Sequence, residues 1–216
     1  MIIKVADTIF KIENDKELEH FILPFKSCGK VEHIIYLQGE SLIEKRNSLA
    51  MQITEYLVGK NILRIHASCI NYNDNAIMFL APSGTGKSTH ASLWKKYANA
   101  EYINDDQPFL NMDTLQVYGF CVAGKHNRFT NGSAKLNSLV FISQSKQNKI
   151  TKLTKLQAVK YLYKQMVQYI NLSDRQKQLE CMDILSNLPV YLLECDISKN
   201  AFLTCYKGVF NKDYED

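Results

Sequence analysis

The stretch from residue 81 to residue 89 has the residue types of a phosphate-binding loop. It reads Ala-Pro-Ser-Gly-Thr-Gly-Lys-Ser-Thr, after the apolar run 76–80 and before a segment with helical character. Gly84 and Gly86 allow positive φ and let the backbone come close to a bulky anion. A helix that starts after the loop adds unpaired N–H groups and a favourable dipole. The pattern is a Walker A loop in which Ala81 stands where the strict motif has glycine.

This loop predicts a site for the phosphates of a nucleotide. Lys87 would reach the β- and γ-phosphates, and the Ser88 hydroxyl would bind the Mg²⁺ that bridges them. We expect the phosphates to be bound by Ser83, Gly84, Thr85, Gly86, Lys87, Ser88 and Thr89. A chance match to the motif is the alternative, and the placement between a strand and a helix argues against it.

Two consecutive carboxylates, Asp105 and Asp106, follow Lys87 by 18 and 19 residues. They come at the end of a predicted strand, which is where a Walker B-type acid would lie. Phosphoryl transfer needs a carboxylate that holds the metal and a group that orients or deprotonates the attacking hydroxyl. Either aspartate could take either role on spacing alone, and a surface turn is the structural alternative.

Three further residues are candidates for the site. His66 lies on a predicted strand 21 residues before Lys87 and could face the phosphates, although a histidine on a strand is commonly structural. Lys125 and Arg128 lie in the irregular segment 119–132 and could hold the transferred phosphate or the substrate. His90 is expected to be a helix residue beside the nucleotide.

Charge is unevenly distributed along the chain. The net charge is +4, yet residues 114–173 contain nine basic residues and no acidic one. This asymmetry favours an anionic partner such as nucleotide phosphates or an acidic peptide or protein, while solvated lysines on a helix face are the alternative. Nucleic acid is disfavoured because no reading motif accompanies the charge. The sequence is compatible with a monomer and with a homo-oligomer.

Composition is that of an ordinary globular protein of 216 residues, with 46% hydrophobic and 22% charged residues. No apolar run has the length of a membrane span, and the N-terminus lacks the pattern of a signal peptide, so we expect a cytoplasmic protein without membrane contact. The six cysteines have no metal-site spacing and are expected to be reduced and mostly buried.

The order of predicted elements indicates an α/β protein with a mixed central sheet and flanking helices. Strands are predicted over 2–12, 31–38, 62–70, 76–80, 101–104, 109–112, 115–120, 139–143 and 189–195. A turn and short helix are predicted within 14–20, and helices over 41–59, 89–97, 154–170, 173–185 and 199–209, with Gly59 ending the 41–59 helix and Ser173-Asp174 capping the 173–185 helix. We expect residues 1–60 to be a structural segment packed on a nucleotide-binding domain, 61–216, in one compact unit.

Three motifs together resemble a known superfamily. The runs Ile65-His66-Ala67-Ser68, residues 79–89, and Ile103-Asn104-Asp105-Asp106 are similar to those of the HPr kinase/phosphorylase and phosphoenolpyruvate carboxykinase superfamily. The similarity is specific over about residues 62–112, and a weaker resemblance to small HPr kinase-like proteins extends to the C-terminus.

The resemblance implies a fold and a chemistry. It implies the carboxykinase-type nucleotide-binding fold, ATP on the phosphate loop, and Mg²⁺ near Ser88 and the aspartate pair. It makes Asp105 the general base, Asp106 its metal-side partner and His66 a residue of the active site. The carboxykinase regions that carry substrate-binding arginines are absent, which argues against decarboxylation of oxaloacetate, and the features with which HPr kinases recognise HPr are not visible.

The function expected from these observations is a kinase. ATP and Mg²⁺ would serve transfer of the γ-phosphate to a hydroxyl, most simply a serine of a peptide or small protein, with Asp105, Lys87 and His66 as catalytic residues. A small-molecule kinase would use the same site. A nucleotide-binding regulatory module that hydrolyses ATP slowly or not at all is the alternative from another class.

Overall fold

The chain forms two β-sheets with helices packed against them, described by a computed structural model over residues 1–13, 16–166 and 175–215. The small sheet has the order β1-β2-β3, with a helix before and after its last strand. Its elements are β1 (Ile2–Val5), β2 (Thr8–Glu13), α1 (Glu19–Ile22), a 3₁₀ turn (Leu23–Phe25), β3 (His33–Tyr36) and α2 (Leu42–Val58).

The remaining described residues build a nine-stranded mixed sheet flanked by four helices. Its strands are β4 (Ile62–Arg64), β5 (Ser68–Tyr72), β6 (Asn75–Leu80), β7 (Glu101–Asn104), β8 (Phe109–Asn111), β9 (Gln116–Tyr118), β10 (Ser133–Gln144), β11 (Lys149–Lys152) and β12 (Val190–Cys195). Its helices are α3 (Lys87–Ala98), α4 (Lys155–Met166), α5 (Arg175–Ser186) and α6 (Lys199–Phe210). The predicted α/β class with a mixed central sheet and flanking helices is confirmed.

The pairing of the central strands determines which loops come together at the edge of the sheet. β10 runs parallel to β6 on one side and to β12 on the other, while β5 is antiparallel to both β6 and β7. β6, β10, β12 and β7 therefore all end at the same edge of the sheet. Segments that follow these strands come together there, which is where open α/β sheets bind ligands.

Apolar side chains cover both faces of the large sheet. Trp94 of α3 and Phe202 of α6 are fully buried against one face, and Leu162 of α4 and Leu185 of α5 against the other. A third apolar cluster joins the small sheet and α2 to Phe109 of the large sheet. All six cysteines are free thiols, and all but Cys28 are buried, as predicted.

Two predicted strands are each two strands in the structure. The 2–12 prediction is wrong because Ala6 and Asp7, at φ 46° and 61°, turn the chain between β1 and β2. The 62–70 prediction is wrong because the chain changes partners: β4 pairs with β8, whereas β5 pairs with β6 and β7. Residues 65–67 lie between the two pairings, and the antiparallel β5–β6 hairpin itself is as predicted.

Other boundaries differ in length. β10 begins at Ser133 rather than 139, and β11 was not predicted because its lysines and threonine hide the alternation of an edge strand. Gly59 ends α2, as predicted, but in a right-handed conformation with φ −63°. The predicted cap at Ser173-Asp174 and the predicted helix end at 167–170 lie outside the described residues. Among the helices of the described ranges, none combines the length and apolar character that a bilayer crossing needs.

Candidate active site

The loop between β6 and α3 has the backbone geometry of an anion-binding turn. Gly84 and Gly86 have φ of +79° and +117°, which side-chain-bearing residues rarely adopt. A Cβ at either position would have no heavy atom within 4 Å among the described residues, so the space above the loop is open. Gly86 is the N-cap of α3 and offers no side chain to its first turn, which contains no acidic residue. The free N–H groups of that turn can therefore bind an anion.

Lys87 starts a chain of polar contacts that crosses the site. Its buried ammonium donates to the Ala81 carbonyl at 2.9 Å and lies 3.0 Å from Nε2 of His66. Nδ1 of His66 is 3.4 Å from Oδ1 of Asp106. A lysine ammonium has only donors, so Nε2 of a neutral His66 accepts and Nδ1 carries the hydrogen that faces Asp106. The three side chains that the sequence predicted separately thus form one connected group.

The electrostatics of this group favour an anionic ligand. Burial lowers the pKa of His66, the charge of Lys87 lowers it further, and Asp106 partly opposes both effects. Burial also lowers the pKa of Lys87, again against the attraction of Asp106. His66 is therefore neutral at physiological pH, and the desolvated Lys87 would gain from a phosphate nearby.

Asp105 is the most deeply buried carboxylate of the site, at 2% exposed. Its Oδ1 accepts a 2.9 Å hydrogen bond from the Gly124 amide, whereas its buried Oδ2 has no partner among the described residues. Burial raises the pKa of this carboxyl, although the Gly124 hydrogen bond acts in the opposite direction. An oxygen that is desolvated and unpaired is suited to accept a proton or to face a cation.

Asn104 fixes the aspartate pair in place. Its side chain is fully buried and donates to the carbonyls of Phe120 and Val122 at 2.8 and 3.0 Å. Its Oδ1 accepts from the amides of Asp106 and Gln107 at 2.9 and 2.7 Å. This side chain turns the backbone immediately after β7, so that both carboxylates leave the sheet at the edge where the phosphate loop lies.

The donor set of the site fits a magnesium ion held jointly with a nucleotide. Ser88 Oγ donates to the main-chain carbonyl of Asp105 at 3.2 Å, which places a hydroxyl oxygen next to the backbone that carries the aspartate pair. Hydroxyl and carboxylate oxygens are the ligands that Mg²⁺ prefers. Within the described ranges no three His, Cys, Asp or Glu side chains form a metal-binding group. Mg²⁺ commonly binds through one or two carboxylates plus substrate phosphates, so it does not need three protein side chains. The unpaired Oδ2 of Asp105 is a carboxylate oxygen still available at this site.

The two predicted substrate residues lie in different environments. Lys125 is exposed and follows Gly124 directly, so its backbone adjoins the Asp105 carboxylate. Arg128 Nη1 instead donates to Ser92 Oγ at 2.7 Å and to the Tyr102 hydroxyl at 3.0 Å, with its guanidinium over the Tyr102 ring. Arg128 thus ties the 119–132 segment to α3 and β7, while Lys125 is left facing solvent.

Two residues of the site were not found from the sequence. Arg64 ends β4, two residues before His66, and its half-buried guanidinium makes no hydrogen bond or ion pair within the described part of the chain. Burial lowers the pKa of Arg64, and the charge of Asp106 partly restores it. Gln165 of α4 is buried and donates to the carbonyls of His66 and Ala81 at 3.4 and 3.1 Å. No local pattern in the sequence marks either residue as part of the site.

His90 lies in the core beneath the start of α3. It is 2% exposed and packs edge-on against Phe79, with ring centroids 4.9 Å apart. Trp94 Nε1 donates to its Nε2 at 3.3 Å. His90 therefore belongs to the helix as predicted, and its ring contacts Phe79 and Trp94.

A scan against protein-family models and a search of curated protein sequences both find no match to this chain. The assignment of the site consequently rests on its motifs and its geometry.

Proposed function

We propose that this protein is an ATP- and Mg²⁺-dependent kinase that transfers the γ-phosphate to a hydroxyl group, a serine of a peptide or small protein. The proposal includes the fold that the motifs resemble, the HPr kinase-like, carboxykinase-type nucleotide-binding fold. The observation that carries it is the convergence of Lys87, His66 and the Asp105-Asp106 pair beside an open glycine loop at a helix N-terminus.

Each residue has a role that its environment supports. The amides of the loop and Lys87 hold the β- and γ-phosphates, and Lys87 stabilises charge that develops on the transferring group. The unpaired Oδ2 of Asp105 accepts the proton of the attacking hydroxyl. The hydroxyl oxygen then forms its bond to the γ-phosphorus as the bond to the β-phosphate oxygen breaks, which leaves ADP.

Mg²⁺, when bound, would be held by Ser88 and Asp106 together with the phosphates and would neutralise their charge. His66 donates its Nδ1 hydrogen toward Asp106 and so orients that carboxylate. Arg64 makes no hydrogen bond or ion pair in the described chain, although the charge of Asp106 acts on it, and is therefore available to a second anionic group.

An acidic acceptor agrees with the charge around the loop. Lys125 is exposed next to Gly124, and Lys164 lines a second cavity that includes Ala81 and Pro82 of the phosphate loop. Lys149 and Lys152 are exposed on the edge strand β11. A peptide with carboxylates near its serine would be attracted to this surface.

The test is transfer of label from γ-labelled ATP, with Mg²⁺, to an array of serine peptides flanked by acidic, neutral or basic residues, with free serine alongside. We expect label on the acidic peptides and none after Asp105→Asn. Asp74→Asn, the same change at an exposed turn, is the matched control and should transfer normally. Binding of Mg-ATP without label on any peptide would overturn the peptide-kinase proposal, and label on free serine alone would replace the peptide by a small molecule.

A further inference from the structure

A cavity of about 470 Å³ opens beside the phosphate loop, on the side away from the aspartate pair. Its walls include Gly86, Thr89 and His90 from the loop and α3, and Asp196 and Ile197 from the segment after β12. Binding sites for small organic molecules have volumes of about 300–1,000 Å³.

The order of strands gives the direction in which a bound nucleotide must extend. β5 and β7 lie on one side of β6, and β7 leads into Asp105 and Asp106. β10 and β12 lie on the other side, and the residues after them line the cavity. A triphosphate whose γ-phosphate lies at Lys87 and the aspartates therefore has its α-phosphate, and what is attached to it, toward the cavity.

His90 is part of the cavity wall, and its ring contains a buried donor without a partner in the described chain. Trp94 Nε1 donates to His90 Nε2, and burial lowers the pKa of His90 to about 3, so the ring is neutral and its Nδ1 carries the hydrogen. This Nδ1 is buried and has no hydrogen-bond partner among the described residues. A buried N–H group without an acceptor is costly, and a ligand acceptor would remove that cost.

Apolar side chains line the rest of the cavity. Leu93 and Ile142 are nearly buried in its wall, at 9% and 7% exposed, whereas Ile197 is 76% exposed at its rim. A large aliphatic side chain so exposed, next to a cavity, can cover the face of a flat ring. Burial of the Ile197 side chain against the ring would contribute favourably to the free energy of binding.

We propose that this cavity binds the nucleoside part of the nucleotide, with Ile197 covering the base and His90 Nδ1 donating to a ring nitrogen or ribose oxygen. The inference rests on the proposed nucleotide function and adds to it the site that distinguishes a nucleoside triphosphate from triphosphate alone. Gln144, whose amide donates to the Thr85 carbonyl at 3.2 Å, connects this wall to the phosphate loop.

The test compares two probes by calorimetry: a non-hydrolysable ATP analogue and inorganic tripolyphosphate, each with Mg²⁺. Ile197→Glu should weaken binding of the analogue about tenfold and leave tripolyphosphate binding unchanged. Ile43→Glu, at an equally exposed isoleucine of α2, is the matched control and should change neither affinity. Both positions are exposed, so neither variant disturbs the core.

The outcomes separate this inference from the proposed function. If Ile197→Glu binds the analogue as tightly as wild type does, or if wild type binds both probes equally, the nucleoside site is wrong while the phosphate site stands. If wild type binds neither probe, the proposed function and this inference both fail.

A second measurement uses the imidazole itself. In protein labelled with ¹⁵N-histidine, the Nδ1–H resonance of His90 should shift when the ATP analogue binds and stay in place when tripolyphosphate binds. An identical spectrum with both ligands would overturn the role given to His90.

Discussion

Asp105 has two oxygens in very different situations. Oδ1 is held by the Gly124 amide, while Oδ2 is buried without a partner in the described chain. Asp106 instead faces His66 and is more exposed. The difference supports a proton acceptor at Asp105 and a metal-side role at Asp106, the assignment that the sequence resemblance implied and that spacing left open.

Replacing each aspartate by asparagine separates the two roles. Asp105→Asn should reduce turnover about 10²–10⁴-fold with Mg-ATP binding retained, because only the base is lost. Asp106→Asn should weaken Mg-ATP binding as well as turnover. Calorimetry and steady-state rates of both variants check this, and the reverse pattern would exchange the assignments.

The raised pKa of Asp105 has a consequence for stability. Burial makes its ionisation less favourable in the folded chain than in the unfolded chain. Its stabilising contribution is therefore complete below the unfolded pKa and is lost as pH rises through the folded pKa. Asp105→Asn removes this titration, and its Oδ1 still accepts from Gly124.

We expect Asp105→Asn to have a higher Tm than wild type at about pH 7 and the two proteins to converge at about pH 4. Thermal unfolding at both pH values is the measurement. Asp74→Asn is the control, and its Tm relative to wild type should be the same at both pH values. A Tm below that of wild type at neutral pH would mean that ionised Asp105 stabilises the fold, contrary to its surroundings.

Arg64 is a charged residue beside the predicted site that was not predicted from the sequence. The half-buried Arg64 makes no hydrogen bond or ion pair within the described ranges, so its guanidinium has donors left to bind an anion. Arg64→Gln should lower kcat/KM for an acidic peptide about tenfold or more and leave Mg-ATP affinity unchanged. Arg64→Lys retains the charge without the planar guanidinium, so its kcat/KM should lie between those of wild type and Arg64→Gln. Equal loss of ATP affinity would assign Arg64 to the nucleotide instead.

At the residue scale, the site residues that belong to a recognisable motif could be predicted from the sequence. The loop, Lys87 and the aspartate pair have characteristic spacing, and His66 was found one strand away. Arg64 and Gln165 could not be found, because their proximity to the site depends on the packing of β4 and α4 rather than on a local pattern. The unpaired Nδ1 of His90 likewise depends on Trp94 occupying the other ring nitrogen.

At the scale of elements, the end of β7 is held by one side chain. Asn104 makes four hydrogen bonds to backbone groups, and its removal would leave buried amides and carbonyls unpaired. Asn104→Ala should lower the free energy of unfolding by about 3 kcal/mol and reduce activity by moving both aspartates. Denaturant unfolding and turnover are the two measurements.

The matched control is Asn111→Ala. Asn111 accepts from the amides of Asp113 and Thr114 in the same kind of turn, but at an exposed position. Asn111→Ala should lower the free energy of unfolding by about 1 kcal/mol or less and leave turnover unchanged. Equal effects of the two substitutions would show that burial and position of Asn104 do not matter.

Strand boundaries were predicted well where a strand pairs with the same neighbouring strand along its length. The 62–70 segment failed because it exchanges β8 for β6 and β7, with Ile65 donating to Pro108 and Ala67 to Asp106 at the change. That exchange depends on pairing between segments distant in sequence, which apolar periodicity does not report. The same irregular backbone carries His66 to the site.

At the scale of the whole molecule, the first 60 residues support the loop that completes the site. Asn131 donates to the Pro24 carbonyl, Arg46 to Asn127, and Tyr118 to Asp7. Phe25 and Phe129 pack with ring centroids 6.0 Å apart. The small sheet and α2 therefore buttress the 119–132 segment, whose Gly124 amide holds Asp105.

The most direct test of the central claim is calorimetric titration with Mg²⁺ and a non-hydrolysable ATP analogue. Wild type should bind saturably, and Lys87→Met should abolish binding because it removes the buried ammonium at the phosphate loop. Lys95→Met, at an exposed lysine of the same helix, should bind as wild type does. Absence of binding by wild type, or equal binding by Lys87→Met, would contradict a nucleotide site at this loop and with it the proposed kinase.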